Sequence, residues 1–124
     1  MVDGRRSRWG DPHRPAVSKD ANGTTWLFVG TASGLAGYTL TLDPTTHVPR
    51  LTQVWKKAVN STSPMVANGV VYAAGASTIG AYSSTDGSLL WSKSVGSIHW
   101  QSPVVDGGFV ILEDGAGHLT EWGP

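Results

Sequence analysis

The feature that most constrains this chain of 124 residues is an internal repeat of about forty residues. Residues 63–72 read SPMVANGVVY and residues 102–111 read SPVVDGGFVI, at a constant offset of 39 residues. A looser copy begins at Arg14, and Trp55 and Trp91 lie 36 residues apart. A chain that repeats on this scale is expected to stack like units, because a single unit cannot bury its apolar face alone.

Each copy has the pattern of short β-strands joined by tight turns. In the middle copy we predict strands at 64–67, 70–74, 78–83 and 88–94, with Pro64 beginning the first of them. The intervening turns fall on dipeptides that adopt positive φ easily, namely Asn68-Gly69 and Asp86-Gly87. No run of ten or more residues has the apolar spacing of a helix, so the predicted class is all-β.

Four short strands in about forty residues are what a propeller blade requires. The predicted architecture is therefore a partial β-propeller of antiparallel four-stranded blades, with about two and a half blades. We assign residues 14–60 to blade 1, 61–100 to blade 2 and 101–124 to an incomplete blade 3, after a leading segment at 1–13 that we expect to be disordered. The stretch 43–50, DPTTHVPR, is expected to be an exposed hairpin loop.

The segment 81–91, AYSSTDGSLLW, resembles the tryptophan-docking motif of the pyrroloquinoline-quinone (PQQ)-type β-propeller repeat. Ala81, Gly87 and Trp91 match that motif, whereas Ser83 stands where Asp is usual. The resemblance extends over residues 14–124 and implies that Trp91, and by analogy Trp55, docks one blade on the next. The alternative for such a tryptophan is an exposed ring that stacks on a ligand.

Composition excludes several classes of function. Nine basic and nine acidic residues cancel, and the one basic cluster is Arg5, Arg6 and Arg8, so nucleic-acid binding is not expected. The absence of cysteine excludes disulfides, thiolate catalysis and cysteine-ligated metal. No stretch approaches the roughly 20 apolar residues of a membrane span, and residues 1–25 lack the apolar core of a secretory signal.

We predict no catalytic, cofactor-binding or metal-binding residues in this chain. The family resemblance implies that a longer parent could hold PQQ and calcium. Glu113 and Asp114 are the only adjacent carboxylates, and neighbours on a strand point to opposite faces. The four histidines lack the short spacing of a zinc site.

The ligand-facing candidates are His99, Trp100 and Gln101, because they form a connection between blades and such loops commonly carry binding residues. The expected function is a non-catalytic scaffold segment that binds a protein, peptide or carbohydrate through its loops. A fragment of a quinone-dependent alcohol or sugar dehydrogenase and a non-functional truncated product are the alternatives. Expected partners include the missing blades of a longer parent or a second copy of the chain, and the resemblance implies a periplasmic or extracellular location.

Overall fold

The computed structural model describes residues 13–123, in which ten β-strands form three antiparallel sheets. The arginine cluster and nearly all of the leading segment lie outside these residues. The first sheet contains β1 (Ala16–Lys19), β2 (Thr25–Thr31), β3 (Gly34–Leu42) and β4 (Pro49–Lys57), in that order. The second contains β5 (Met65–Ala67), β6 (Val70–Ser83) and β7 (Leu89–Ile98). The third contains β8 (Val104–Asp106), β9 (Phe109–Glu113) and β10 (Leu119–Trp122).

Strand β6 corrects the prediction of two separate strands at 70–74 and 78–83. A straight strand of its length would extend for roughly 45 Å. The amide of Ser84 nevertheless donates to the carbonyl oxygen of Gly69 across 3.0 Å, so the two ends of β6 lie side by side. The chain reverses near Ala76, whose φ is 52°. The two predicted strands are therefore the two arms of one bent strand. The reversal between the arms is so tight that no separate loop interrupts the strand.

The three sheets lie side by side, in chain order. The first strand of each sheet contacts the first strand of the next, so that β1 lies beside β5 and β5 lies beside β8. Two buried clusters fill the spaces between sheets. The first cluster contains Trp26, Phe28, Leu35, Trp55, Val71, Ala73 and Tyr82, and the second contains Ala74, Ile79, Ile98, Val110 and Leu112. The prediction of an all-β partial propeller is thus confirmed.

The first and second sheets match each other in register. Gly37 pairs with Trp55 in the first sheet, and Ala81 pairs with Trp91 in the second. In both sheets the register shifts immediately after that pair, between residues 37 and 38 and between residues 81 and 82. Such irregularities bend a strand, and related structures usually keep them at the same place in the sheet. The sheets are therefore structural repeats down to the position of the bulge.

The predicted loop at 43–50 is shorter in the structure than in the sequence-based prediction. Strand β4 already begins at Pro49, which leaves 43–48 as the connection. The carboxylate of Asp43 accepts hydrogen bonds from the amides of Thr45 and Thr46, at 2.8 and 2.9 Å, and closes the turn. Pro49 can begin the strand because the first residue of a strand need not donate to the ladder.

Pro64 precedes its strand instead of beginning it, since β5 starts at Met65. Pro103 stands in the same relation to β8, and both prolines are buried. A missing amide hydrogen costs nothing at a position before pairing starts. Among the described residues there is no helix with the length and apolar character needed to traverse a lipid bilayer.

Candidate interaction surfaces

Trp55 joins the first sheet to the second. Its side chain is 7 % exposed, and its ring lies 6.1 Å from the ring of Phe28. The indole Nε1–H donates to the carbonyl oxygen of Ser84 in the second sheet, at 2.8 Å. Gly87 has a φ of 73° and lies directly against the six-membered ring of Trp55. One tryptophan therefore combines apolar burial with a directed hydrogen bond between sheets.

Trp91 occupies the equivalent place between the second and third sheets, but it is only half-buried. Its ring lies 5.9 Å from the ring of Trp122 at an angle of 46°. Ala81, its register partner, is buried beneath it. A depression of about 370 Å³ opens beside the two indoles and is also lined by Tyr72.

Sequence reasoning missed the partners on which these tryptophans pack. Tyr82 packs in the same buried cluster as Trp55, and Trp122 packs against Trp91 in the corresponding way. The available signal was the alignment of Tyr82 with Trp122 between the second and third copies. Ser84 could not have been found, because its backbone carbonyl carries no side-chain signature.

His99, Trp100 and Gln101 lie in the connection between β7 and β8, which comprises residues 99–103. The Trp100 side chain is 71 % exposed, and the His99 ring lies 5.8 Å from it. Gln101 Oε1 accepts the amides of His99 and Trp100, at 2.8 and 3.2 Å. The hydroxyl of Thr62 donates to the carbonyl oxygen of Gln101 at 2.7 Å, which attaches this loop to the preceding connection. The three residues therefore form a braced loop with an exposed indole.

Asp114 and His118 form a polar turn that sequence reasoning did not single out as a pair. Asp114 Oδ1 accepts the amides of Ala116 and His118, at 2.9 and 3.0 Å. Its Oδ2 lies 3.0 Å from His118 Nδ1. Asp114 is buried whereas Glu113 is exposed, so the two adjacent carboxylates do not converge. Within residues 13–123, no three His, Cys, Asp or Glu side chains lie close enough to hold a metal ion together.

Two carboxylates in turns, those of Asp20 and Asp114, are expected to make the fold less stable at acid pH. The hydrogen bond from the His118 amide lowers the pKa of Asp114 below its ordinary value of 3.8. The indole of Trp26 lowers the pKa of Asp20 in the same way. A carboxyl whose pKa is lower in the folded state stabilises the fold above the unfolded-state pKa. That stabilisation is lost as the pH falls through the folded-state pKa.

We therefore expect the melting temperature to decline as the pH falls below about 3.8. Thermal unfolding followed by circular dichroism across a pH series measures the decline. Asp114→Asn is the informative variant, because its side-chain oxygen still accepts amide hydrogen bonds but does not titrate. The melting temperature of this variant should fall less steeply with decreasing pH than that of the parent chain. An unchanged slope would contradict the stabilising role of the ionised Asp114 carboxylate.

The first sheet presents one face that no other described sheet covers, which we call the leading face. Its residues are placed together by direct pairing across the strands, since residues directly opposite each other share a face. They include Lys19, Val17, Thr25, Leu27, Val29, Ala36, Tyr38, Leu40, Leu51, Gln53 and Lys56. Two depressions of about 370 and 110 Å³ lie on it. The leading face therefore carries two depressions, and most of its side chains are apolar.

The third sheet presents the opposite uncovered face, which we call the trailing face. Direct pairing brings its residues together in the same way. They are Val104, Asp106, Phe109, Ile111, Glu113, Leu119 and Glu121. Val104, Phe109 and Leu119 are exposed apolar side chains. Apolar surface of this kind commonly marks an interaction site.

Comparison with known proteins finds likeness in structure alone. No family model matches the chain, and no curated protein matches it. The crystal structure of BamB from Moraxella catarrhalis, a β-propeller, is similar with a TM-score of 0.56 and 15% sequence identity. That match covers 92% of this chain and 35% of BamB, so the chain spans about a third of the length of BamB. The computationally designed Ika4 protein gives a TM-score of 0.47 at 12% identity, over 91% of this chain and 92% of that protein. The likeness to BamB supports the propeller fold, whereas the PQQ-type repeat stays a prediction.

Proposed function

We propose that this chain is a non-catalytic propeller segment that binds a protein or peptide partner through the loop formed by His99, Trp100 and Gln101. The observation that carries the proposal is the Trp100 indole, which is 71 % exposed on a braced backbone. Tryptophan is among the residues that contribute most to protein interfaces. An exposed indole on a rigid loop is a ready anchor for an apolar pocket or side chain of a partner.

Bracing matters because it lowers the entropic cost of binding. Gln101 Oε1 accepts two backbone amides of the loop, and Thr62 holds the carbonyl of Gln101. A loop that is ordered before binding loses less conformational freedom when a partner arrives. The His99 ring beside the indole adds a second flat surface.

The exposed indole of the loop favours a peptide over a sugar. Carbohydrate recognition needs several polar side chains that can hydrogen-bond hydroxyl groups around the aromatic platform. In this loop the Gln101 side-chain oxygen is already used by backbone amides, at 2.8 and 3.2 Å. The Trp100 indole is therefore the large exposed apolar surface of this loop, which suits a peptide with a large apolar side chain.

Selection from a random peptide display library on the immobilised chain tests the proposal. We expect the selected peptides to bind the Trp100→Ala variant at least roughly tenfold more weakly, because removing an interface tryptophan commonly costs 2 kcal/mol or more. Isothermal titration calorimetry with the synthetic peptide measures the difference. Thr46→Ala, an exposed substitution in the turn between β3 and β4, is the control and should leave the affinity unchanged.

Two results would count against this function. One is that no displayed peptide is selected whose binding to the chain can be blocked by the same peptide added free in solution. The other is a set of peptides whose affinity is the same for the parent chain and for Trp100→Ala. Selection of glycans instead, on an array probed with the same chain, would place the function in carbohydrate binding.

A further inference from the structure

We propose that a second copy of this chain docks head to tail, with the leading face of one copy packed on the trailing face of the other. These are the two outer sheet faces that the described residues leave uncovered. The inference is independent of the loop at Trp100, because neither face includes that residue.

The leading face repeats a surface that is buried elsewhere in the same chain. The first and second sheets can be superimposed on their central hairpins, which are β2–β3 in the first sheet and the two arms of β6 in the second. Leu27, Val29 and Tyr38 then correspond to positions 71, 73 and 82. Val71, Ala73 and Tyr82 are buried against the first sheet. In the first sheet, Leu27 and Tyr38 are only partly buried. The leading face is thus the type of surface that receives a preceding sheet.

The trailing face repeats the complementary surface. In the second sheet, Tyr72 and Ile79 face the third sheet, and Ile79 is completely buried. The corresponding residues of the third sheet are Ile111 and Leu119, and Leu119 is exposed. The trailing face is therefore the type of surface that a following sheet covers. A second copy supplies that sheet with its leading face, and so continues an interface that the chain already builds twice.

Charge separates the two faces and makes them complementary. The leading face carries the cations Lys19 and Lys56 and no acidic residue. The trailing face carries the anions Asp106, Glu113 and Glu121 and no basic residue. Opposite charges across an interface steer association and select the orientation of the partners.

The same charges oppose the symmetrical alternatives. Packing two leading faces would bring lysines together, and packing two trailing faces would bring acidic residues together, which costs energy in either case. An interface between two different faces is heterologous, so it propagates or closes into a ring. Two copies bring six sheets, three from each, which lies within the 4–8 blades of closed propellers.

Two charge-reversal variants test the orientation. The leading-face variant carries Lys19→Glu and Lys56→Glu, and the trailing-face variant carries Glu113→Lys and Glu121→Lys. All four residues are exposed, so the substitutions should leave the fold intact, and circular dichroism verifies this. We expect the parent chain to associate in sedimentation velocity and each variant alone to associate at least roughly tenfold more weakly.

Mixing the two variants is the decisive measurement. An equimolar mixture should regain association to within about threefold of the parent, because each acidic face now meets a basic one. Arg50→Glu with Lys93→Glu is the control, since it changes the net charge as the leading-face variant does without altering either face. This control should associate like the parent chain.

Each other outcome overturns the proposal. A parent chain that stays monomeric up to about 500 µM, where even weak interfaces associate, has no such contact. If only the trailing-face variant associates as well as the parent, the leading faces pack on each other. If only the leading-face variant does so, the trailing faces pack on each other. A mixture that stays dissociated shows that charge complementarity does not select the orientation.

Discussion

Trp55→Ala is expected to lower the free energy of unfolding by about 3–5 kcal/mol, the usual cost of truncating a buried aromatic residue. The indole is 7 % exposed and lies between the first and second sheets. Its removal leaves a cavity against Phe28 and leaves the Ser84 carbonyl without its donor. Urea denaturation followed by circular dichroism at low protein concentration measures the loss.

The matched control is Trp100→Ala, because it makes the same change on an exposed side chain. It should alter the free energy of unfolding by no more than about 0.5 kcal/mol. Trp55→Phe separates the hydrogen bond from the packing, since phenylalanine retains a ring but has no N–H. If Trp55→Ala proves as mild as Trp100→Ala, Trp55 does not hold the two sheets together.

Gly87→Ala is the second substitution with a large expected effect, a loss of roughly 2–4 kcal/mol from two causes. The φ of Gly87 is 73°, which costs an L-residue energy whatever its surroundings. A Cβ at this position would also lie 2.6 Å from Cε3 of Trp55, so the indole would have to move. The same urea denaturation experiment measures the effect.

Gly117→Ala separates the two causes. Gly117 has a φ of 88°, but a Cβ there would meet no atom within 4 Å. It should therefore show the conformational cost alone, about 1–2 kcal/mol. Equal losses at Gly87 and Gly117 would mean that the contact with Trp55 contributes nothing. In the double variant Trp55→Ala/Gly87→Ala the loss should be smaller than the sum of the single losses, because the contact is already gone.

Much of the fold could be predicted because its signals are local and recur. Asn68-Gly69 and Asp86-Gly87 are turn dipeptides whose backbone preference hardly depends on the rest of the chain, and both lie in turns between paired strands. Prediction failed where a turn has no such signature. At Ala76 a non-glycine residue takes a φ of 52°, so the sequence predicts a gap between two strands that is wider than the actual reversal in β6.

The interaction surfaces could be predicted only in part. The sequence predicts a docking role for Trp55 by analogy with Trp91, yet the structure gives the two tryptophans different environments. Trp55 is buried beside Gly87, whereas Trp91 is half-buried beside Trp122. Which side chains surround an indole depends on residues tens of positions away, and the periodicity of one strand does not contain that information. The sequence predicted a second copy of the chain as a partner, but the residues of the leading and trailing faces could not be predicted, for the same reason.

The amino-acid sequence was sufficient to predict the succession of strands and turns in this protein, its period near forty residues and the positions of the tryptophans at the sheet boundaries. These properties arise from backbone preferences and apolar alternation over a few neighbouring residues. The packing of the sheets in three dimensions was needed to establish that the Ser84 carbonyl accepts a hydrogen bond from the Trp55 indole, that Trp100 is exposed, and that lysines and carboxylates lie on opposite outer faces. The physical reason is that strand register and sheet stacking bring distant residues together, and a shift of one residue would turn every side chain to the other face.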